Sequence, residues 1–349
     1  MHKNYLVIEL CQLKSKLLEL TDAQYFTNAL VNYHQKLVAL VEKLILSVIS
    51  LSAEDYKRIE RFKEYISFLQ ESLIYLEDST LNITPYETIF CLEKVLKDWD
   101  ETPPIIATSL KAGNYHFRGA LSQNGALADL IQKEFDIEFS EELVQIGIPQ
   151  LEVYNYLYNI VIYHEVGHYI DQLYDISYST GNEVFYIKED KSKSEEATIN
   201  HLAEHFCDLF AAQYVGPLIS EYLDFKAEND SDSESHPSTK SRIEVVNDFL
   251  NKRPNKIVDL LTNAIKQSAD NRELKVRFEV PSTESFEEYL PHIIKDENEL
   301  HGVYQTAWKI WRNRETLLAG LSAEQSFDII NNLTGKSIAN YMIKQSWKS

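Results

Sequence analysis

The sequence predicts a mainly helical α+β protein with a small sheet, and three observations lead there. Glycine (10) and proline (9) are scarce among 349 residues, while Leu, Lys, Glu and Ile are plentiful, which favours helices. Over the first hundred positions, apolar residues recur at three- and four-residue steps, the period of a helix with one buried face. The run His164-Glu165-Val166-Gly167-His168 lies inside an apolar segment of helical character, Val153 to Leu173.

Composition bounds what such a chain does. With 44% hydrophobic and 25% charged residues it reads as a soluble globular protein, long enough for one large or two to three ordinary domains. A formal net charge of −20 argues against nucleic-acid binding, which works by neutralising phosphates. The three cysteines, Cys11, Cys91 and Cys207, are far apart and odd in number. Their spacing implies neither a disulfide framework nor a cysteine zinc site and fits a reducing compartment. Glu9 interrupts the apolar run Tyr5 to Leu10, so no signal peptide is expected. Leu37 to Leu51 is too short to span a bilayer and holds Glu42 and Lys43. No integral membrane segment is expected, and the expected location is cytoplasmic.

Taken in order, residues 1–100 form an N-terminal helical region. Leu6, Leu10, Leu13, Leu17, Leu18 and Leu20 make one stripe; Leu37, Leu40, Val41, Leu44, Ile45 and Val48 make a second. A third helix is predicted over Ala53 to Leu76, and a fourth starts at Thr84-Pro85 with Glu87 in its first turn. Asp100 to Pro104 breaks the pattern and opens a region of 101–250. Strands are predicted over Ile105 to Leu110, Tyr115 to Leu121 and Phe135 to Phe139. The segment Leu151 to Tyr174 carries the histidine motif and six tyrosines. Glu183 to Lys188 is predicted as a short strand and Ser194 to Tyr214 as a helix, with Glu195 and Glu196 suiting its N-terminal dipole. Phe225 to Lys240 is acidic and serine-rich, and reads as a solvated, mobile loop. Helix resumes over Arg242 to Asn251 and stops at Arg253-Pro254. The remaining residues, 251–349, are mainly helical: Ile257 to Ser268, Thr306 to Leu321 and a last helix capped by Ser322, with a strand over Lys275 to Val280.

The histidine motif carries the chemistry. Residues four apart on a helix share a face, so His164 and His168 can both ligate one Zn²⁺. Glu165 then lies beside the metal, placed to take a proton from a zinc-activated water, the arrangement of metal-assisted hydrolysis. A catalytic zinc takes three protein ligands. Glu204, 36 residues beyond His168, can supply the third. Asp208, one turn later, can accept the free ring N–H of a ligating histidine. His201 and His205, four apart on the same predicted helix, are the alternative third ligands. Gly167 allows another backbone to approach the motif helix closely.

The pattern E-x-x-x-D after H-E-x-x-H resembles the gluzincin metallopeptidases. A third motif, His236-Pro237-Ser238-Thr239-Lys240-Ser241-Arg242-Ile243, reads H-P-x-x-x-x-R-I, and with the first two resembles the HtpX and CAAX prenyl protease family. The resemblance covers about Tyr163 to Val246. It implies a zincin-type metallopeptidase core within 101–250, zinc held by His164, His168 and Glu204, and Asp208 behind the ligands. Glu165 would be general base toward water and then proton donor to the leaving amine. Cys207 stands where that family usually has alanine. The family's transmembrane helices have no counterpart here, so the resemblance implies a soluble relative.

Hydrolysis needs a donor for the developing oxyanion. His236 is the candidate, with Tyr214 and Tyr169 behind it. The bland alternative is that His236-Pro237 only opens the next helix and Arg242 ties it by an ion pair. The functional expectation is a zinc metallopeptidase acting on a peptide or protein substrate, with N-terminal helices that restrict access or bind a regulatory partner. Two alternatives stay open: a zinc hydrolase for a non-peptide amide, and a zincin-core binding protein without peptidase activity.

Overall fold

The leucine periodicities become helices in a computed structural model that describes residues 2–52, 56–100, 104–118, 125–139, 143–187, 194–227, 230–269 and 272–347. The described chain is mainly helical with a small sheet, and divides into two compact units: Met1–Ile89 with Thr102–Gln150, and Phe90–Glu101 with Leu151–Ser349.

In the first unit α1 (His2–Glu19), α2 (Asn28–Ile49) and α3 (Tyr56–Asp78) pack on one another, and α4 (Tyr86–Trp99) begins. Leu6, Leu10, Leu13 and Leu17 of α1 are buried, whereas Leu18 faces solvent. Thr27 caps α2 by accepting the Leu30 amide, and Leu30, Leu37, Leu40, Val41, Leu44 and Val48 form its buried stripe. Glu87 sits in the first turn of α4, as expected.

The sheet consists of β1 (Ile105–Arg118) and, after α5 (Gly125–Phe135), β2 (Leu143–Pro149). Ile105 to Ser109 run parallel to Leu143 to Gly147. Beyond an irregularity at Lys111 and Ala112, His116, Phe117 and Arg118 pair with Gly147, Ile146 and Gln145 in falling order. This second arm therefore returns along β2. The strands expected at Ile105 to Leu110 and Tyr115 to Leu121 are the two arms of β1, with 119–121 outside the described residues. The end of α3 holds the sheet: the Leu110 amide donates to Asp78 Oδ2 (2.8 Å) and the Thr108 amide to Ser79 Oγ (2.8 Å).

The strand expected over Phe135 to Phe139 is absent. Phe135 ends α5, and Asp136 turns left-handed (φ 52°), a conformation no strand accommodates. Phe139 instead wedges its ring against Tyr33 and Phe68.

In the second unit α6 (Ile160–Tyr174) is followed by α7 (Ile176–Ile187), α8 (Glu195–Val215), α9 (Leu218–Lys226), α10 (Thr239–Leu250), α11 (Lys256–Ser268), the short α12 (Glu284–Glu287), α13 (Glu297–Arg312), the short α14 (Arg314–Leu317) and α15 (Ala323–Ser346). The unit is built round α8, which touches α6, α7, α9, α10, α11 and α13 and is almost wholly buried from His201 onward. Ser194 caps it, accepting the Ala197 amide, and Gly216 (φ 61°) ends it. Ser322 caps α15 in a full capping box.

The strand expected at Glu183 to Lys188 is helical through Ile187; Lys188 lies outside the described residues. Asp175 (φ 53°) stops α6, and Asp171 restarts the chain by accepting the Ser177 amide (2.8 Å). Lys275 to Val280 is no strand either. Its backbone bonds to helix ends, Arg277 to the Gln213 carbonyl and Glu279 to the Asn298 carbonyl, so no strand ladder forms. The helix expected over Thr306 to Leu321 is two pieces, α13 and α14, interrupted at Asn313. No helix among the described residues is long and apolar enough to cross a membrane.

Candidate metal centre

α6 and α8 cross with matched faces. α6 presents His164, Gly167 and His168, and α8 presents Glu204, Cys207 and Asp208; both sets have helical i, i+3, i+4 spacing. Gly167 sets the approach. A Cβ there would stand 2.9 Å from Cys207 Cα, so any side chain would force the helices apart.

The crossing gathers the expected donors. Glu204 Oε2 stands 3.5 Å from His164 Nε2, and Glu204 Oε1 stands 3.6 Å from His168 Nε2. The two imidazole rings meet edge to face with centroids 5.0 Å apart. His164, His168 and Cys207 each offer one ligand atom within 4.8 Å of the others. Glu165 is buried beside them on α6. His236, at the foot of the acidic loop, brings Nε2 to 3.6 Å from Glu204 Oε1 and keeps an exposed ring.

Arg242 closes the cluster from α10. Its Nε and Nη2 donate to Asp208 Oδ2 (2.7 Å) and Oδ1 (2.8 Å), a bidentate pair, and Nη2 also reaches Glu204 Oε2 (3.0 Å). Asp208 Oδ1 is 3.0 Å from His164 Nδ1 but oblique to the ring N–H, so this buried nitrogen has no properly directed hydrogen bond. Arg242 thus ties α10 to the two carboxylates of α8, the ion pair that the bland alternative expected. The loop is pinned to α8 by other contacts, Asn200 Nδ2 to the Glu234 carbonyl and His201 Nε2 to the Ser233 carbonyl (2.6 Å).

Electrostatics follow the geometry. Burial alone would lower the His164 pKa, but Asp208 and Glu204 outweigh it and raise it to about 10. Burial and the neighbouring His164 charge lower His168 to about 4. Burial works against the Glu204 carboxylate, yet His164 and Arg242 hold it down to about 2. Against its own burial, Arg242 holds Asp208 well below the usual carboxylate range.

His201 engages a loop carbonyl and His205 is buried, its pKa lowered to about 4 by burial; neither joins the group formed by His164, His168 and Cys207 among the described residues. Tyr214 and Tyr169 do not serve the site as oxyanion donors. The Tyr214 hydroxyl donates to Asp98 (3.0 Å) and accepts from Trp99 Nε1 (3.0 Å), and the Tyr169 hydroxyl donates to Asp100 (3.0 Å). The Tyr214 phenol is turned to the last turn of α4, and that of Tyr169 to Asp100 just beyond it. Sequence reasoning missed the placement of Cys207 and the double pairing of Arg242. The first has a signal in its i+3 spacing from Glu204; the second has none before the helices are packed.

The donor set fits a divalent metal. Ligand bonds of about 2.1 Å at the tetrahedral angle put neighbouring donors about 3.4 Å apart. Glu204 comes close to that through a different oxygen for each imidazole, 3.5 Å to His164 and 3.6 Å to His168. Among the described residues, the three whose ligand atoms all lie within 4.8 Å of one another are His164, His168 and Cys207. Comparisons with protein-family models, curated proteins and solved structures give no match.

Proposed function

We propose that this chain is a zinc-dependent metallopeptidase with a zincin-type core of gluzincin kind, hydrolysing a peptide or protein substrate. One observation carries the reading: two histidines of α6 and a glutamate of α8 converge at metal-ligand separations, with the Glu165 carboxylate next in sequence. His164, His168 and Glu204 would hold Zn²⁺, which when bound supplies Lewis acidity toward a water and a scissile carbonyl. Glu165 accepts the proton of the attacking water and returns it to the leaving amine. Arg242 holds the carboxylate of Glu204 from behind, and Asp208, 3.0 Å from His164 Nδ1, would accept that ring N–H once the ring turns onto the metal. His236, exposed at the rim, donates to the developing oxyanion. A cytoplasmic location and a regulatory role for the N-terminal helices belong to the same proposal.

The test is metal content by plasma mass spectrometry on protein purified without chelator, followed by a peptide-library screen. About one zinc per chain is expected, strongly reduced in Glu204→Ala. Glu165→Gln should keep the zinc and lose cleavage by at least about 100-fold, the usual worth of a general base. Wild-type protein that takes up no zinc after reconstitution sinks the reading.

A second reading has one observation in its favour. Arg242 already neutralises Glu204 at 3.0 Å and competes with a cation for it, as suits a centre kept for binding or for structure. Zinc-loaded protein that cleaves no peptide in the screen selects this reading.

A further inference from the structure

We infer that Cys207 is itself a ligand of the metal centre, so that α8 contributes a thiolate as well as a carboxylate, and the site takes a thiophilic divalent ion such as Zn²⁺, Co²⁺ or Cd²⁺. The inference rests on the metal-site reading above and goes beyond its three ligands.

The helix register puts Cys207 on the ligand face. Glu204, Cys207 and Asp208 form one edge of α8, and Cys207 packs against Gly167, which precedes His168 on α6. The missing Gly167 side chain makes the room. An added Cβ would meet Cys207 Cβ and Sγ at 3.2 Å, space that the thiol now borders. The ligand atoms of Cys207, His164 and His168 lie within 4.8 Å of one another. Tetrahedral sulfur and nitrogen donors stand about 3.6 Å apart, from bonds of about 2.3 and 2.1 Å. A shift of about an ångström, within reach of rotation about Cα–Cβ, brings the thiol to bonding distance.

The second observation is independent of the cysteine. His164 is more than nine-tenths buried and its Nδ1 lacks a directed hydrogen bond. Its Nε2 is turned toward Glu204 in the same crossing. Buried polar nitrogens are ordinarily satisfied, and movement of this ring onto a bound ion would also realign Nδ1 with Asp208. On binding, the Cys207 S–H bond breaks, its proton leaves to buffer, and a metal–sulfur bond forms, with no change of oxidation state. Two imidazoles, a carboxylate and a thiolate complete a tetrahedron, the arrangement of a closed centre. Hydrolysis would then begin only after the thiolate yields its position to water.

Cobalt substitution tests this directly. The full-length protein is stripped with chelator and titrated with Co²⁺ in a Cys11→Ser background. A near-ultraviolet thiolate-to-cobalt charge-transfer band is expected at one equivalent, beside the visible d–d bands, and is expected to vanish in Cys207→Ala while the d–d bands persist. X-ray absorption of the zinc-loaded wild type should add one sulfur at about 2.3 Å, a readout that needs no variant to fold. Cobalt d–d bands without charge transfer, together with a sulfur-free zinc shell, overturn the cysteine ligand and leave the three-ligand centre standing. Failure to bind either metal overturns both.

Discussion

At the residue scale the most consequential side chain is Arg242. Its guanidinium lies against two buried carboxylates and is itself buried. Asp208 is fully buried, and an uncompensated charge there is costly: breaking such a pair from one side typically costs about 3–5 kcal/mol. Arg242→Met should therefore lower the stability of the second unit by about that amount in urea denaturation. Arg242→Lys should recover only part, because an ammonium cannot make the bidentate contact. A loss under about 1 kcal/mol in Arg242→Met would mean that water or His164 satisfies Asp208 instead. Glu204 responds in the same experiment. Its low pKa depends on His164 and on Arg242, so removing the arginine raises it.

At the scale of elements, the crossing of α6 on α8 depends on one glycine. Gly167→Ala places a methyl 2.9 Å from the Cys207 Cα, and a backbone atom in a buried helix cannot step aside as a side chain can. Overpacking of this kind costs about 1–3 kcal/mol, and the histidines must also part from Glu204. The variant should thus lose metal affinity along with stability, whereas Gly113→Ala, with nothing within 4 Å, serves as a neutral control. Unchanged zinc affinity in Gly167→Ala would show that the site tolerates helix separation. The parts of this crossing were unequally legible. His164 and His168 could be paired from the sequence because helix geometry alone joins them. Glu204 and Asp208 could be paired by their spacing along α8, with His201 and His205 open beside them; Glu195 and Glu196 marked the start of α8, and Ser322 announced its helix by capping. Cys207 and the carboxylate pairing of Arg242 depend on which helices cross, which periodicity does not specify. Short strands failed for a related reason. Leu143 to Ile148 alternates from Val144 to Ile148, with Gln145 and Gly147 between the apolar residues, yet both of its faces are buried, so the pattern marks no solvent side. Phe135 to Phe139 does alternate, yet Asp136 takes a left-handed turn, and the extended Lys275 to Val280 finds helix ends rather than a strand to pair with.

At the scale of the whole molecule, the two units can be followed separately, because Trp99, Trp308, Trp311 and Trp347 all belong to the second. Tryptophan fluorescence therefore reports the unfolding of the unit that carries the candidate centre, without assuming that the entire chain unfolds in one step. Within that unit His301 of α13 is buried among Tyr163, Tyr214 and Tyr304, its Nδ1 3.0 Å from the Tyr163 hydroxyl. Burial, aided by Arg277 and Lys94, lowers its pKa from 6.5 to about 3. The sign follows from linkage: as pH falls below 6.5 the unfolded chain takes up a proton that the folded unit refuses. The contribution of His301 is thus complete above pH 6.5 and is lost between 6.5 and about 3. At about 1.4 kcal/mol per unit, the loss approaches an upper bound of about 5 kcal/mol. Asp171 opposes it, since burial raises its carboxyl to about 6 and favours the folded state at lower pH. Relief of self-repulsion in a chain of net charge −20 acts in the same opposing direction. The difference between wild type and His301→Gln cancels both, since they are common to the two proteins. Urea midpoints read by tryptophan fluorescence should place the variant below the wild type at pH 7, through lost ring contacts, and the gap should close steadily toward pH 4. Parallel curves for the two proteins would mean that His301 takes up its proton over the same pH range in the folded and unfolded states, and that the aromatic cluster linking α6, α8 and α13 admits a charge.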